Sequence, residues 1–238
     1  MTRTLKYIFS GISLLLLTLT VTGQGLTNKD TIRYGGVRLG IDLVPFIGFF
    51  TDPQMKGYEL FLDAEVSDGW YLVAEGGRLK YHKTEPDYAY RMKGSYLKLG
   101  VDHNILRRRP DENESIFWGL RIAAVDMTHE AEEITIHDGY WGNLNTSLPP
   151  DHLRPFWFEV TVGIKAEVLK NFFMGWNVRG HFLLIYPKEI MQPYIIPGYG
   201  NAEKNFPITF NYVLSYRFPY KLKVKQKKKK KKETEGTE

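Results

Sequence analysis

The chain has 238 residues, is 43% hydrophobic and 14% aromatic, contains no Cys and carries a formal net charge of +5. The lack of Cys excludes disulfide staples, thiol nucleophiles and thiolate metal ligands. The positive charge is terminal, with nine Lys against three Glu in 221–238 and Arg3 and Lys6 at the start; residues 24–220 therefore carry −3, and the basic balance gives no ground for a nucleic-acid partner.

Arg3 and Lys6 precede an apolar run over 7–21, and Val21-Thr22-Gly23 offers a cut ahead of Gln24. The run is shorter than the roughly 20 residues of a spanning helix and gives way at once to polar sequence, which describes a cleaved secretion signal over 1–23. Residues 24–220 show no long 3.6-residue apolar period. Alternation of period two recurs instead, broken by Gly, Pro and Asp clusters.

Eight strands are predicted. The first covers 33–49, with Val37, Leu39, Ile41 and Leu43 on one face and Arg38, Gly40 and Asp42 on the other. The second, 57–66, sets Tyr58, Leu60, Leu62, Ala64 and Val66 against Glu59, Phe61, Asp63 and Glu65. The third, 70–81, places Tyr71, Val73, Leu79 and Tyr81 on its apolar face. The same phase puts Glu75 there, which calls for a bulge at Gly76-Gly77 or a place near the rim. The fourth, 94–106, alternates Leu97, Leu99 and Val101 with Lys98, Gly100 and Asp102. The fifth, 116–127, alternates Trp118, Leu120, Ile122 and Ala124 with Gly119 and Arg121. The sixth, 156–168, has Phe156, Phe158, Val160, Val162, Ile164, Ala166 and Val168 opposed to Glu159, Thr161, Gly163, Lys165 and Glu167. The seventh, 172–186, opposes Trp176, Val178, Phe182 and Leu184 to Asn177, Arg179 and His181. The eighth, 206–218, opposes Ile208, Phe210, Tyr212, Leu214, Tyr216 and Phe218 to Thr209, Asn211, Ser215 and Arg217.

Three of the four odd-numbered connections are longer than every even-numbered one. In an up-and-down barrel the odd connections share one end, and outer-membrane barrels keep short turns at one end and long loops at the other. The expected architecture is an all-β, eight-stranded antiparallel up-and-down transmembrane β-barrel over 24–220, followed by a Lys-rich disordered tail over 221–238. Its apolar faces meet lipid. Its polar faces fill a narrow lumen with a balanced charge network of Arg38, Lys98, Arg121, Lys165, Arg179 and Arg217 against Asp42, Glu59, Asp63, Glu65, Asp102, Glu159 and Glu167. Small residues (Gly40, Gly100, Gly163) leave room for these groups. Phe46, Phe49, Tyr58, Tyr81, Phe156, Phe158, Tyr186, Phe206 and Phe218 are expected as aromatic girdles at the water boundaries. Closure is required because an unpaired backbone group in lipid costs several kcal/mol.

This pattern resembles small eight-stranded bacterial outer-membrane barrels, and more narrowly an uncharacterised outer-membrane barrel family of Bacteroidota. The resemblance rests on the signal before Gln24, the alternating strands and the last strand, "NYVLSYRF", where Asn211, Tyr216 and Phe218 match a barrel-assembly signal. Val213 stands where that signal has glycine, and the chain runs on past Phe218. The resemblance implies the outer membrane as location, the barrel-assembly machinery and outer-membrane lipids as partners, and no assigned activity.

The Lys run over 221–232 fits a solvated tail, or contact with anionic headgroups or an acidic cell-wall polymer. The fifth connection carries His129, Glu130, Glu132, Glu133, His137, Asp138, Asp151 and His152 without tight metal-ligand spacing, so no metal and no cofactor are expected. The aromatic stretches "GYWGN" and "QPYIIPGYG" fit either a binding surface or loops that order one another. His103 and Asp102 fall on opposite strand faces, and Ser147 and His152 lie in a loop, so no catalytic set is expected. The function read from the sequence is a non-enzymatic envelope role, structural or surface-binding through the loops after the fifth and seventh strands. A narrow channel, a lipid-modifying enzyme and a soluble periplasmic barrel are the alternatives.

Overall fold

Alternation becomes strand throughout the body. The computed structural model describes residues 33–45, 54–106, 113–138, 142–186, 191–204 and 206–222. The expected leader, most of the Lys-rich tail, Phe46 and Phe49 lie outside the described residues. The strands are β1 (Arg33–Asp42), β2 (Met55–Ser67), β3 (Trp70–Glu85), β4 (Tyr88–Asn104), β5 (Ser115–Asp138), β6 (Gly142–Leu153), β7 (Phe156–Leu169), β8 (Phe172–Ile185), β9 (Ile195–Ile196), β10 (Gly200–Asn201) and β11 (Ile208–Leu222).

Hydrogen-bonded neighbours run β4-β3-β2-β1-β11-β8-β7-β5-β6, and β4 also pairs with β5. With β6 set aside, this is a closed ring of eight antiparallel strands in chain order. First and last strands join from Arg33 opposite Leu222 to Asp42 opposite Val213. The backbone pairing thus continues through Lys221 and Leu222. β5 is long enough for two partners in succession: β7 covers its first half, Ser115 to Ala124, and β6 covers its second, Met127 to Asp138. At the changeover Val125 N–H donates to the Pro155 carbonyl at 3.2 Å.

Two expected loops are strand. The third connection is a hairpin that turns only at Pro86-Asp87, with Glu85 opposite Tyr88. The fifth is the arm β5–β6, irregular between His129 and Ile134, where Glu133 has φ 55°. Charged composition hid these strands, and the irregularity broke their period. β6 carries Pro149-Pro150, and within a strand proline sits at an edge because it cannot donate to a second neighbour. At the opposite end of the ring the turns at Asp68-Gly69 and Lys170-Asn171 are tight, with φ 74° at Gly69 and 64° at Asn171.

The polarity of each long strand inverts along its length while the side-chain parity stays constant. On β4, Leu97 and Leu99 face outward and Lys98 and Asp102 inward; farther along, Ser95, Lys93 and Arg91 face outward and Tyr96, Met92 and Tyr90 inward. On β5 the change falls between outward Ala124 and Asp126, and between inward Arg121 and Ala123. On β3 it falls between outward Gly76 and Arg78. These positions are cross-strand partners, Gly76 with Leu97 and Leu97 with Ala124, so the inversion lies at one level of the barrel.

The inversion corrects the reading of the third strand. Tyr71, Val73 and Glu75 all face inward, and Leu72, 54% exposed, faces outward with Ala74 and Gly76. Pairing with β2 is regular from Tyr71 to Tyr81, so no bulge exists at Gly76-Gly77 and Glu75 is not at a rim. Leu79 and Tyr81 lie beyond the level of inversion, where inward positions are apolar, and they set the wrong phase for the residues before them.

Above that level an apolar core fills the barrel. Tyr90, Met92, Tyr96, Val125, Met127, Leu153 and Trp157 pack with Ile196 and Tyr199 of the connection between β8 and β11. That connection folds inward as a plug, and Gly198 (φ 77°) lies so close to the Tyr96 ring that a Cβ there would sit 2.7 Å from Cδ2. "QPYIIPGYG" therefore orders itself by packing, the second of the two readings offered for it; "GYWGN" lies mostly outside the described residues.

Candidate functional site

The ionic interior below the plug is the candidate site. Of the thirteen charged residues expected in the lumen, all but the half-buried Glu167 are buried. Nine of them, with Glu75 and His181, form one unbroken chain of contacts. Arg38 Nε meets Asp63 at 2.7 Å, and Asp63 meets Lys165 at 2.8 Å. Lys165 reaches Asp102 at 3.3 Å, and Asp102 pairs with Arg121 at 3.1 Å. Arg121 meets Glu75 at 3.0 Å, and Glu75 meets Arg179 at 2.7 Å. Arg179 reaches Glu59 at 3.1 Å, Glu59 reaches Lys98 at 3.6 Å, and Lys98 meets Glu159 at 3.1 Å. His181 Nδ1 ends the chain 3.1 Å from Glu159.

Signs alternate without exception from Arg38 to Glu159, five basic and five acidic groups. Each interior charge lies between two opposite ones. Attraction between buried ions is offset by their desolvation; strict alternation makes the assembly neutral and leaves no ion with a like-charged nearest neighbour in the chain. The walls contribute too. Lys165 Nζ lies 4.8 Å from the Phe61 ring and 4.4 Å from that of Phe117, and Arg38 stacks 4.6 Å over Tyr71. Glycines make the room: a Cβ at Gly100 would lie 2.6 Å from Arg121 Cγ, and one at Gly119 would overlap Asp102.

Tyr96 and Trp157 join this layer to the apolar one. Their rings belong to the upper core. The Tyr96 hydroxyl donates to Glu59 at 2.7 Å, and Trp157 Nε1–H donates to Glu159 at 2.7 Å. Two residual voids, beside Lys165 and Arg38, measure about 10 Å³ each, room for roughly one water.

The other four expected charges make further contacts. Asp42 accepts a hydrogen bond from Asn211 and the Val44 N–H. Arg217 donates to the Gly35 carbonyl at 3.4 Å. The Glu65 carbonyl accepts from the Tyr220 hydroxyl. Glu167 accepts from Asn113 at 2.8 Å and from the Asn171 N–H at 2.6 Å, tying two turns together. Of the assembly-signal residues, Asn211 points inward while Tyr216 and Phe218 face outward, their rings 5.1 Å apart. Sequence reasoning missed Glu75, which its cross-strand position opposite Lys98 marks as a lumen residue, and left His181 out of the network although it shares a face with Arg179.

Around the outside, Leu39, Leu60, Leu72, Leu97, Ile122, Val162 and Phe210 belong to an exposed apolar band. Tyr58, Phe158, Phe182 and Phe206 stand at its upper edge, with Phe182 and Phe206 4.6 Å apart. At the lower edge Trp70, His103 and Trp118 contact one another on neighbouring strands, 4.4 Å between Trp70 and His103. Tyr81 and Tyr186, expected in the girdles, pack on the upper core instead. They are corrected for the same reason as the third strand: beyond the inversion, apolar means inward.

The loop histidines are each engaged or buried. His137 Nε2 meets Asp87 at 2.9 Å, and that bond raises the histidine's pKa, helped by Asn143. His152 meets Asp126 at 2.8 Å. Burial lowers the pKa of His129. His103 faces outward and Asp102 inward, so they form no dyad.

No curated protein matches the sequence. Among solved structures, the chain is similar to Neisserial surface protein A (8% identity, TM-score 0.40, covering 78% of this chain and 96% of that one). It is also similar to Ail, the attachment invasion locus protein of Yersinia pestis (10%, 0.40, 79% and 100%), and to Acinetobacter baumannii CarO2 (9%, 0.39, 79% and 100%). A family model described as "Domain of unknown function (DUF6048)" matches residues 4–223, and the chain belongs to that family.

Proposed function

We propose that this protein is an outer-membrane β-barrel with a closed lumen and a non-enzymatic role in the envelope, structural or surface-binding. The observation that carries the location is the inversion of polarity at one level. Below it the outer wall is hydrocarbon and the interior is ionic. Above it the outer wall is charged and the interior is aromatic and aliphatic, as in a water-soluble protein. Only a change of solvent along the strand accounts for both halves of one continuous β4. From outward Leu97 to outward His103 and Ile105 is about nine residues, which matches the 9–11 residues of a tilted spanning strand. The secretion signal expected over 1–23 from the sequence fits the same membrane.

The ionic chain supports a plug rather than a pore, since its members meet across the lumen and the voids beside Lys165 and Arg38 are each about the size of one water. The arm β5–β6 is the better candidate for a surface role, because the connection after β8 is committed to packing. Mature protein recovered from membranes should resist carbonate extraction and migrate faster on a gel unheated than boiled. Release by carbonate would sink the membrane reading. Deleting residues 130–150 should leave that gel behaviour intact and abolish capture of an envelope partner if binding is the job.

A further inference from the structure

We propose that the outward face of β2, β3 and β4 just above the apolar band is a binding site for the phosphate-bearing headgroups of bilayer lipids. The site rests on the membrane placement proposed above. Register places Lys56 opposite Lys80, and Lys80 opposite Lys93, so three lysines form one cross-strand row. Arg78 lies one outward step below, between Tyr58 and Ser95, and His82 and Arg91 lie one step above. Arg78, Lys80 and Lys93 are exposed. Directly opposed side chains on a sheet have Cβ atoms about 4.5–5.5 Å apart, and like charges there repel. The opposed pair Lys80 and Lys93 disfavours the bare sheet and is relieved by an anion laid across it.

Of the described acids bordering the patch, Glu132 and Asp126 are already matched, and Glu130 lies opposite Arg91. Arg91 pairs with Glu132 at 3.2 Å. Asp126, opposite Ser95, is held by His152 at 2.8 Å and Arg154 at 3.3 Å. None of the outward flanking positions on β2–β4 (Tyr58, Ser95, His82) is a carboxylate. Elsewhere on the rim the composition differs: Phe182, Phe206 and Ile208 face outward on the β8–β11 side. Among the described residues the cross-strand lysine row lies on the β2–β4 side.

The floor beneath it fits an acyl chain. Leu60, Gly76 and Leu97 are cross-strand neighbours directly below Arg78, and Leu62, Ala74 and Leu99 follow. A Cβ added at Gly76 would meet no atom closer than 3.7 Å, so Gly76 leaves a shallow slot between two leucines. Height agrees as well. Two residues of a strand tilted by ~40° rise about 5 Å and four rise about 10 Å. Arg78 thus lies within the interfacial zone, roughly 5–8 Å thick on each side of the hydrocarbon, and Lys80 and Lys93 reach down into it with their long stems.

The test uses the full mature chain, folded into phosphatidylcholine bilayers with or without a minor fraction of phosphatidic acid. Lipid retained after gentle detergent extraction is counted by native mass spectrometry. Wild type should retain phosphatidic acid, and the triple variant Arg78→Gln, Lys80→Gln, Lys93→Gln should lose retention on the order of tenfold. Its insertion and heat-dependent gel shift should stay unchanged, since all three side chains lie outside both cores. Lys204→Gln, exposed in the connection between β8 and β11, should retain lipid as wild type does. Equal retention by wild type and the triple variant would overturn the site while leaving the membrane reading intact. Failure of wild type to insert would overturn both. Displacement of the lipid by equimolar inorganic phosphate would overturn the lipid assignment in favour of a free-anion site.

Discussion

Glu75 links two arginines of the interior. It lies between Arg121 at 3.0 Å and Arg179 at 2.7 Å, and all three side chains are buried. Removing its charge leaves Arg121 only Asp102 and Arg179 only Glu59, with one positive charge in excess in a low-dielectric space, and breaking a buried pair by deleting one partner typically costs about 3–5 kcal/mol. Glu75→Gln should lower the stability of the folded barrel in micelles by roughly that amount, measured as a shift of the urea midpoint with unchanged slope. Glu85 provides the contrast. It pairs with Lys83 at 3.1 Å, both partly exposed, and exposed pairs contribute about 0–1 kcal/mol. Glu85→Gln should move the midpoint little. Equal effects of the two changes would show that the interior chain is hydrated rather than sealed. The alternation of "GYELFLDAEV" makes Glu59 and Asp63 legible as lumen groups in the sequence, and the same logic fails at Glu75. One face of 71–81 is apolar at both ends for two different reasons: Tyr71 and Val73 line the ionic layer, whereas Leu79 and Tyr81 belong to the core above it.

At the scale of elements, a single strand crosses two solvents, and this decides what the sequence can reveal. Strands such as β7, whose apolar face stays in one medium over most of its length, read correctly end to end. In the proposed placement β3, β4 and β5 leave the membrane midway, so their outer halves look charged and irregular and resemble loops. His137 and Asp87 join two of these extensions, bonding the arm β5–β6 to the turn between β3 and β4 at 2.9 Å, next to the Thr135 N–H that donates to the Asp87 carbonyl at 2.8 Å. The bond to Asp87 raises the His137 pKa above the ordinary histidine value of about 6.5. A raised histidine contributes most below the unfolded value and loses that contribution as pH climbs through the folded one. Amides of the arm should therefore exchange hydrogen more slowly below about pH 6.5 than at alkaline pH, relative to intrinsic rates, and His137→Ala should remove the difference. His129 has the opposite sign. Burial lowers its pKa, so its contribution is present at neutral pH and lost as pH falls through the folded value. Protection of the core around Tyr90 and Met127 should weaken on acidification while the arm tightens.

For the whole molecule, the closed ring and the two stacked interiors divide the work of sealing. The plug over 191–204 buries Ile196 and Tyr199 against Tyr96 and Trp157. The ionic chain below it closes the lumen independently, because its side chains meet across the barrel from β1, β2, β3, β4, β5, β7 and β8. The strand count and the ring were legible from periodicity, since eight alternating segments with long connections at one end admit few other closures. The plug was not, because nothing in "QPYIIPGYG" says whether its aromatics turn outward to a partner or inward to a mouth. Replacing 191–204 with a short Gly/Ser linker separates the two seals. It exposes the apolar floor, and loss of a cluster that size should destabilise the barrel by several kcal/mol, roughly 1.5–3 per large side chain uncovered. In planar bilayers, wild type and this variant should both stay silent. Stepwise conductance in the variant alone would show that the plug is the seal and that the charged interior conducts once uncovered. Conductance in the wild type would restore the channel reading outright.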